Sequence, residues 1–260
     1  MSRTGANILT GATRIGRPLF HFMRNAVRAA VDFVFPPQCL LCGHGFEEGR
    51  WLCSECLSRV LDSRRVVLHE RPEDFQFLSG VRHFEGIFTA WEFNQDLEQL
   101  IHCMKYSGMK NLAGFLGAAA GEAIGRDPDF RSHPYEWMLP VPLHKVRQRE
   151  RGYNQSAWVC DGLSKSLGIP VLTDGLFRKR NTRTQTGKSG EERQKNVEDA
   201  FGIKHPERIQ GVFILLADDV ATTGSTLNSC AEVLKQAGAR TVYGAALARP
   251  LLGASGGRMI

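Results

Sequence analysis

No run in this 260-residue chain approaches the ~18 uninterrupted apolar side chains that a membrane-spanning helix needs. The opening residues have no continuous apolar stretch ending in a small-residue cleavage site, so no secretory leader is expected there. No internal repeat and no long low-complexity tract occur, which sets aside solenoids and repeat arrays. Acidic residues fall short of basic ones, 27 against 33, giving a formal charge of +6. That balance suits either a solvated basic surface or affinity for phosphates or nucleic acid. The chain also lacks the even, dispersed cysteines of a disulfide framework. Four of its seven cysteines fall within 18 residues, and Cys103, Cys160 and Cys230 are scattered. The expectation is a cytoplasmic protein with one sizeable α/β domain and a small module.

The pattern divides the chain as follows. Residues 1–34 form a basic arm with an amphipathic helix expected over 17–33, stopped by Pro36-Pro37. A cysteine module spans 35–65, a larger domain 80–250, and a tail 251–260. In the larger domain, 84–93 reads as strand and 94–126 as helix broken at Ser107-Gly108. Strands are expected over 137–143, 171–177, 200–203, 212–217 and 241–248, with helices over 154–167 and 223–237. Residues 181–196 are polar and read as a loop. Strands alternating with helices predict a parallel sheet flanked by helices, with ligands at the carboxyl ends of its strands.

Cys39-Leu40-Leu41-Cys42 and Cys53-Ser54-Glu55-Cys56 are two C-x-x-C pairs ten residues apart. Each pair can hold one side of a tetrahedral ion, and thiolates select zinc. Gly43 suits the turn of a knuckle, and His44 is a substitute ligand that a four-cysteine shell does not need. A segment this short is expected to depend on the metal for its fold.

The apolar run 212–217 ends in Asp218-Asp219-Val220-Ala221-Thr222-Thr223-Gly224-Ser225-Thr226, and a helix follows. Paired carboxylates at a strand end can accept hydrogen bonds from two vicinal hydroxyls. Small hydroxylated residues, a close-approaching Gly224 and the positive end of a helix suit a phosphate. Read blandly, the same residues are an Asp turn with a helix cap. The nine-residue string after a buried strand resembles the 5-phosphoribosyl-1-pyrophosphate (PRPP) motif of type I phosphoribosyltransferases. A second string, Leu139-Pro140-Val141-Pro142-Leu143-His144, precedes Lys145, Arg147, Arg149 and Arg151, then Gly152-Tyr153-Asn154-Gln155-Ser156.

Together with Lys105-Tyr106 and the four cysteines, these strings resemble the ComF/GntX (competence protein F) family over about 35–249. The resemblance implies a type I phosphoribosyltransferase-like fold behind the four-cysteine module. It implies that Asp218 and Asp219 hold the ribose hydroxyls and that residues 221–226 cradle the 5′-phosphate. Magnesium would arrive with the pyrophosphate. Leu143, His144 and Lys145 would form the pyrophosphate loop, with charge added by Arg147 and Arg151. His144 has the chemistry of an acid or base, and equally of a loop histidine making one backbone contact. Residues 182–196, with Arg183, Lys188, Arg193 and Lys195, resemble a loop that closes over PRPP, although Lys188 stands where the family carries an apolar residue. Residues 84–135 are expected to contribute to the acceptor hood. The resemblance implies a part in DNA uptake and natural transformation beside other uptake proteins, and the basic charge and the zinc module suit single-stranded DNA as a partner. Three functions stay open: a transferase releasing pyrophosphate, a non-catalytic single-strand-binding module, and a regulator sensing PRPP.

Overall fold

The computed structural model describes residues 38–45, 51–64, 68–71, 81–143, 145–179 and 200–250. The expectations for the arm 1–34, the loop 182–196 and the tail 251–260 fall outside them. The chain divides into two compact units, one up to Cys53 and one from Ser54 onward. In the first, Cys39 donates its N–H to the His44 carbonyl and Gly43 donates to the Cys39 carbonyl, both at 2.9 Å. Gly43 has φ of 73°, a turn that a side chain would strain.

The second unit runs α1 (Ser54–Asp62), β1 (Leu68–Glu70), β2 (Gly86–Glu92), α2 (Gln95–Tyr106), α3 (Lys110–Ile124), α4 (Pro128–Arg131), β3 (Trp137–Pro140), α5 (Lys145–Arg151), α6 (Gln155–Leu167), β4 (Leu176–Arg178), β5 (Phe201–Ile203), β6 (Phe213–Val220), α7 (Ser225–Gln236) and β7 (Thr241–Arg249). The main sheet has the order β1-β2-β7-β6-β3. Its last four strands are parallel, and β1 is an antiparallel edge. Interior parallel strands are covered on both faces, so they read as continuous apolar runs and not as alternations. Ile214 to Ala217 in β6 and Val242, Ala245 and Ala246 in β7 are fully buried accordingly.

Ile214 and Leu216 pack with Leu227, Cys230 and Leu234 of α7. Leu215 and Ala217 alternate to the other face. The helices α3 and α6 cover the sheet by contacts with β2, β7, β3 and β6. Burying each leucine of this core contributes about 1.5–3 kcal/mol.

Most element expectations hold, with displaced edges. Ser107 ends α2, and Gly108 at φ 66° separates it from α3. Four readings are corrected. The segment 84–135, assigned to the hood, contains β2, whose Gly86–Trp91 are all buried and which pairs with β7 inside the main sheet. The expected strand 171–177 is reduced to a bridge between Val171 and Met138, followed by β4 paired only with β5. The basic string after β3 is helical as α5. Finally, β6 continues through Asp218 and Asp219 to Val220, because Asp218 and Val220 still face Ala246 and Ala248 of β7.

Helices α3 and α6 approach backbone to backbone. A Cβ on Gly162 would lie 2.1 Å from the Gly114 carbonyl oxygen, and one on Gly117 would lie 2.3 Å from that of Val159. Only rigid backbone opposes it, so the helices themselves would have to separate. Gly162→Ala is expected to destabilise the protein by about 1–3 kcal/mol, read as a lowered midpoint in urea unfolding with an unchanged slope.

Candidate functional site

The Sγ atoms of Cys39, Cys42, Cys53 and Cys56 all lie within 4.8 Å of one another. Cys42 and Cys53 are 3.8 Å apart. Tetrahedral bonds of about 2.3 Å from sulfur to zinc separate the sulfurs by about 3.8 Å, so the four thiols fit zinc. Burial raises the Cys39 thiol, but backbone N–H groups of Cys42, Cys53 and Leu41 outweigh it and bring it from 9.0 to about 6. A thiolate at neutral pH is the form that ligates. His44 is exposed and not part of this group. The site is closed by four sulfurs, with no open position for substrate, which marks it as structural.

The second site lies where β3 and β6 end. Their register pairs Leu139 with Leu216 and Pro140 with Ala217, and Val141 donates its N–H to the Ala217 carbonyl at 2.8 Å. Both strands therefore deliver their following segments to one edge of the sheet. Past β3 come Pro142 and the half-buried Leu143. Past Ala217 come the carboxylates. Asp218 accepts from the Ser156 hydroxyl at 2.8 Å and from the Asp219 N–H at 2.9 Å. Lys105 places its ammonium 3.2 Å from Asp219 Oδ2. Burial and the adjacent Asp219 charge push Asp218 from 3.8 up to about 7, against the Ser156 hydroxyl, the Asp219 N–H and Lys105. Two carboxylates thus stand side by side, and the buried one holds its proton more tightly than a free carboxyl does.

The chain then turns through Gly224, at φ 73°, into α7. Asp218 and residues 220–227 line a hollow of about 210 Å³ open to solvent. Thr223 and Ser225 hydroxyls lie 2.9 Å apart, and the Asn228 N–H closes the first helical turn on the Gly224 carbonyl at 2.8 Å. The hollow combines small hydroxyls with the positive end of a three-turn helix, and this chemistry suits a phosphate. Ala221 is anchored to β7 by its N–H on the Ala248 carbonyl.

Of the expected basic residues, Arg151 is brought to this edge. Its guanidinium lies 5.3 Å from the Tyr106 ring centre, one residue beyond Lys105. Lys145 and Arg147 open α5, and their side chains, like His144 and Arg183, Lys188, Arg193 and Lys195, lie outside the described residues. Lys105 and Ser156 were noticed in the sequence only as parts of similar strings. Nothing in their spacing pointed to the carboxylates, which lie 114 residues from Lys105 (219 − 105) and 62 from Ser156.

The larger unit is thus a parallel sheet flanked by helices with a carboxylate pair and a hydroxyl-rich turn at its carboxyl edge, and a four-cysteine zinc module precedes it in the chain. Residues 30–66 match the double zinc ribbon domain. The chain is 29% identical over 226 residues to the DNA utilization protein YhgH of Escherichia coli K12, covering 83% of this chain and 98% of that one. It is 28% identical over 237 residues to competence protein ComFC of Streptococcus pneumoniae, covering 82% and 100%. With competence protein F of Haemophilus influenzae it shares 39% over 119 residues, 44% of this chain and 50% of that one. Over most of its length the chain is thus similar to proteins named for DNA utilization and competence. Among solved structures, the glutamine PRPP amidotransferase of Bacillus subtilis aligns with 52% of this chain at 17% identity and a TM-score of 0.34. The chain spans 26% of that enzyme's length. Among the described residues no helix is long and apolar enough to cross a membrane.

Cys39→Ser removes one of four sulfurs. It is expected to release zinc from the purified protein, measured as metal content by mass spectrometry, and to lower its melting temperature. Full zinc content in the variant contradicts the tetrathiolate.

Proposed function

We propose that the protein binds PRPP with magnesium and serves in DNA uptake. The observation that carries the ligand is the adjacent pair Asp218-Asp219 at the end of a parallel strand, followed directly by a phosphate hollow on a helix N-terminus. In this reading the two carboxylates accept the vicinal ribose hydroxyls and residues 221–226 hold the 5′-phosphate. Lys105, now on Asp219, and Arg151, over the neighbouring Tyr106 ring, offset the charge of the pyrophosphate. Magnesium arriving with the pyrophosphate would supply further positive charge there. If an acceptor is present, the C1–oxygen bond to pyrophosphate breaks as the acceptor bond forms. The chain then contributes positioning and electrostatic stabilisation of the leaving group. The part in DNA uptake is supported by relatives named for competence and DNA utilization.

One observation favours single-stranded DNA as a partner. Tyr106 is 57% exposed, next to Lys105, with His102 at 4.6 Å between ring centres and Arg151 over its ring. Exposed rings interleaved with cations stack bases without regard to sequence.

Titration of magnesium-PRPP by calorimetry tests the main reading. Losing both carboxylates in Asp218→Ala/Asp219→Ala removes charge-assisted hydrogen bonds and is expected to weaken binding by about a hundredfold or more. Equal affinity in wild type and variant refutes the site. For the partner, Tyr106→Ala is expected to weaken binding to an oligothymidine strand about tenfold. Unchanged affinity for the strand excludes Tyr106 as a contact.

A further inference from the structure

The string Gly152-Tyr153-Asn154-Gln155-Ser156 has no role in the ligand contacts above, yet its side chains reach three separate parts of the site. The Tyr153 hydroxyl donates to the Met104 carbonyl, one residue before Lys105. The Asn154 amide donates to the Val141 carbonyl at 3.0 Å, where β3 leads into the pyrophosphate segment. The Ser156 hydroxyl donates to Asp218 at 2.8 Å. These partners lie 49, 13 and 62 residues away along the chain. One short stretch of chain thus touches the end of α2, the end of β3 and the end of β6.

Local structure gives no other reason for these bonds. Asn154 stands at the N-cap of α6, where an asparagine ordinarily accepts from the first-turn N–H groups. Here its side chain makes no capping bond and turns to Val141. Its own Oδ1 is buried without a hydrogen-bond partner. Tyr153 and Ser156 are 5% and 7% exposed, so surrounding packing holds their rotamers. Gly152, at φ 78°, makes the reversal that carries the chain from α5 into this position.

We infer that Tyr153, Asn154 and Ser156 are positioning residues, which hold the Lys105 segment, the exit of β3 and the Asp218 carboxylate at the separations one extended phosphorylated ligand requires. The role rests on the PRPP reading for the identity of that ligand, but not for the bonds themselves. Each bond fixes one pole: Tyr153 the cation at Asp219, Asn154 the start of the pyrophosphate segment, Ser156 the diol carboxylate. Binding that must satisfy several poles at once is sensitive to displacements of about 1 Å in any of them.

Ser156 also affects charge. Asp218 is faced by Asp219 on its own strand, by Lys105 from α2, by Ser156 from α6 and by the Cys230 thiol from α7. Burial and Asp219 favour the protonated form, and the Ser156 hydroxyl favours the carboxylate. Removing that hydroxyl leaves the raising influences less opposed.

The test is carried out on the full chain with zinc bound. Protein labelled with ¹³C at aspartate carboxyls is titrated by NMR as wild type, Ser156→Ala and Ser156→Thr, and calorimetry with magnesium-PRPP is run on these and on Tyr153→Phe. Ser156→Ala is expected to raise the Asp218 midpoint by about one pH unit and to weaken PRPP about tenfold at pH 7, with Thr restoring both. Tyr153→Phe is expected to weaken PRPP while leaving the Asp218 midpoint in place, in protein shown to be folded by circular dichroism. An unmoved midpoint in Ser156→Ala, or a moved midpoint with wild-type PRPP affinity, overturns the positioning role. A wild type that does not bind PRPP overturns the ligand reading instead, and the midpoint shift with its rescue by Thr then decides the role of Ser156.

Discussion

The site depends on one arrangement, the parallel pairing of β6 with strands on both sides. Hydrogen bonds from β7 and β3 hold Ile214 to Ala217 in an apolar interior. The same ladder continues on the β7 side past the last apolar residue, to Val220. Two carboxylates are thereby carried to the rim of the sheet on a backbone that cannot drift. A charge on a free loop would be better solvated but poorly placed. Here the ladder supplies placement, and the raised affinity of Asp218 for its proton follows from the burial that placement entails.

Around this rim the protein opposes the acidic pair with cations drawn from elsewhere in the chain. Lys105 arrives on the last turn of α2, and Arg151, on the last turn of α5, lies over the neighbouring Tyr106 ring. A helix N-terminus completes the positive side through Ser225 and its neighbours. The zinc module is a different kind of solution. It is too short to build a sufficient core of its own, so metal–thiolate bonds would do the work that burial does in the larger unit.

Much of the fold was legible before the structure. The apolar run into Asp218-Asp219, the glycine turn and the following helix are contiguous, so local periodicity and turn chemistry sufficed to place the strand, the turn and the helix that follows it. The two C-x-x-C pairs were readable for the same reason. What escaped was non-local. Residues 84–93 read as strand, but their partner β7 lies more than 150 residues on, and no local pattern separates a hood strand from one inside the main sheet. Residues 171–177 failed in the opposite sense, because strand-forming side chains do not pair where the neighbouring edge offers only one bridge.

The sequence by itself determined the chemistry available, namely four thiols at metal spacing, adjacent carboxylates, a phosphate-type turn and a surplus of bases. These are properties of neighbouring residues, and covalent spacing enforces them whatever the rest of the chain does. The tertiary structure alone decided which distant groups meet that chemistry. Lys105 on Asp219, Ser156 on Asp218 and Asn154 turned from its helix to Val141 are contacts between elements far apart in sequence. Such contacts follow from the packing of α2 and α6 against the sheet, and packing is settled by the burial of whole faces at once, not by the residues that happen to meet at its edge.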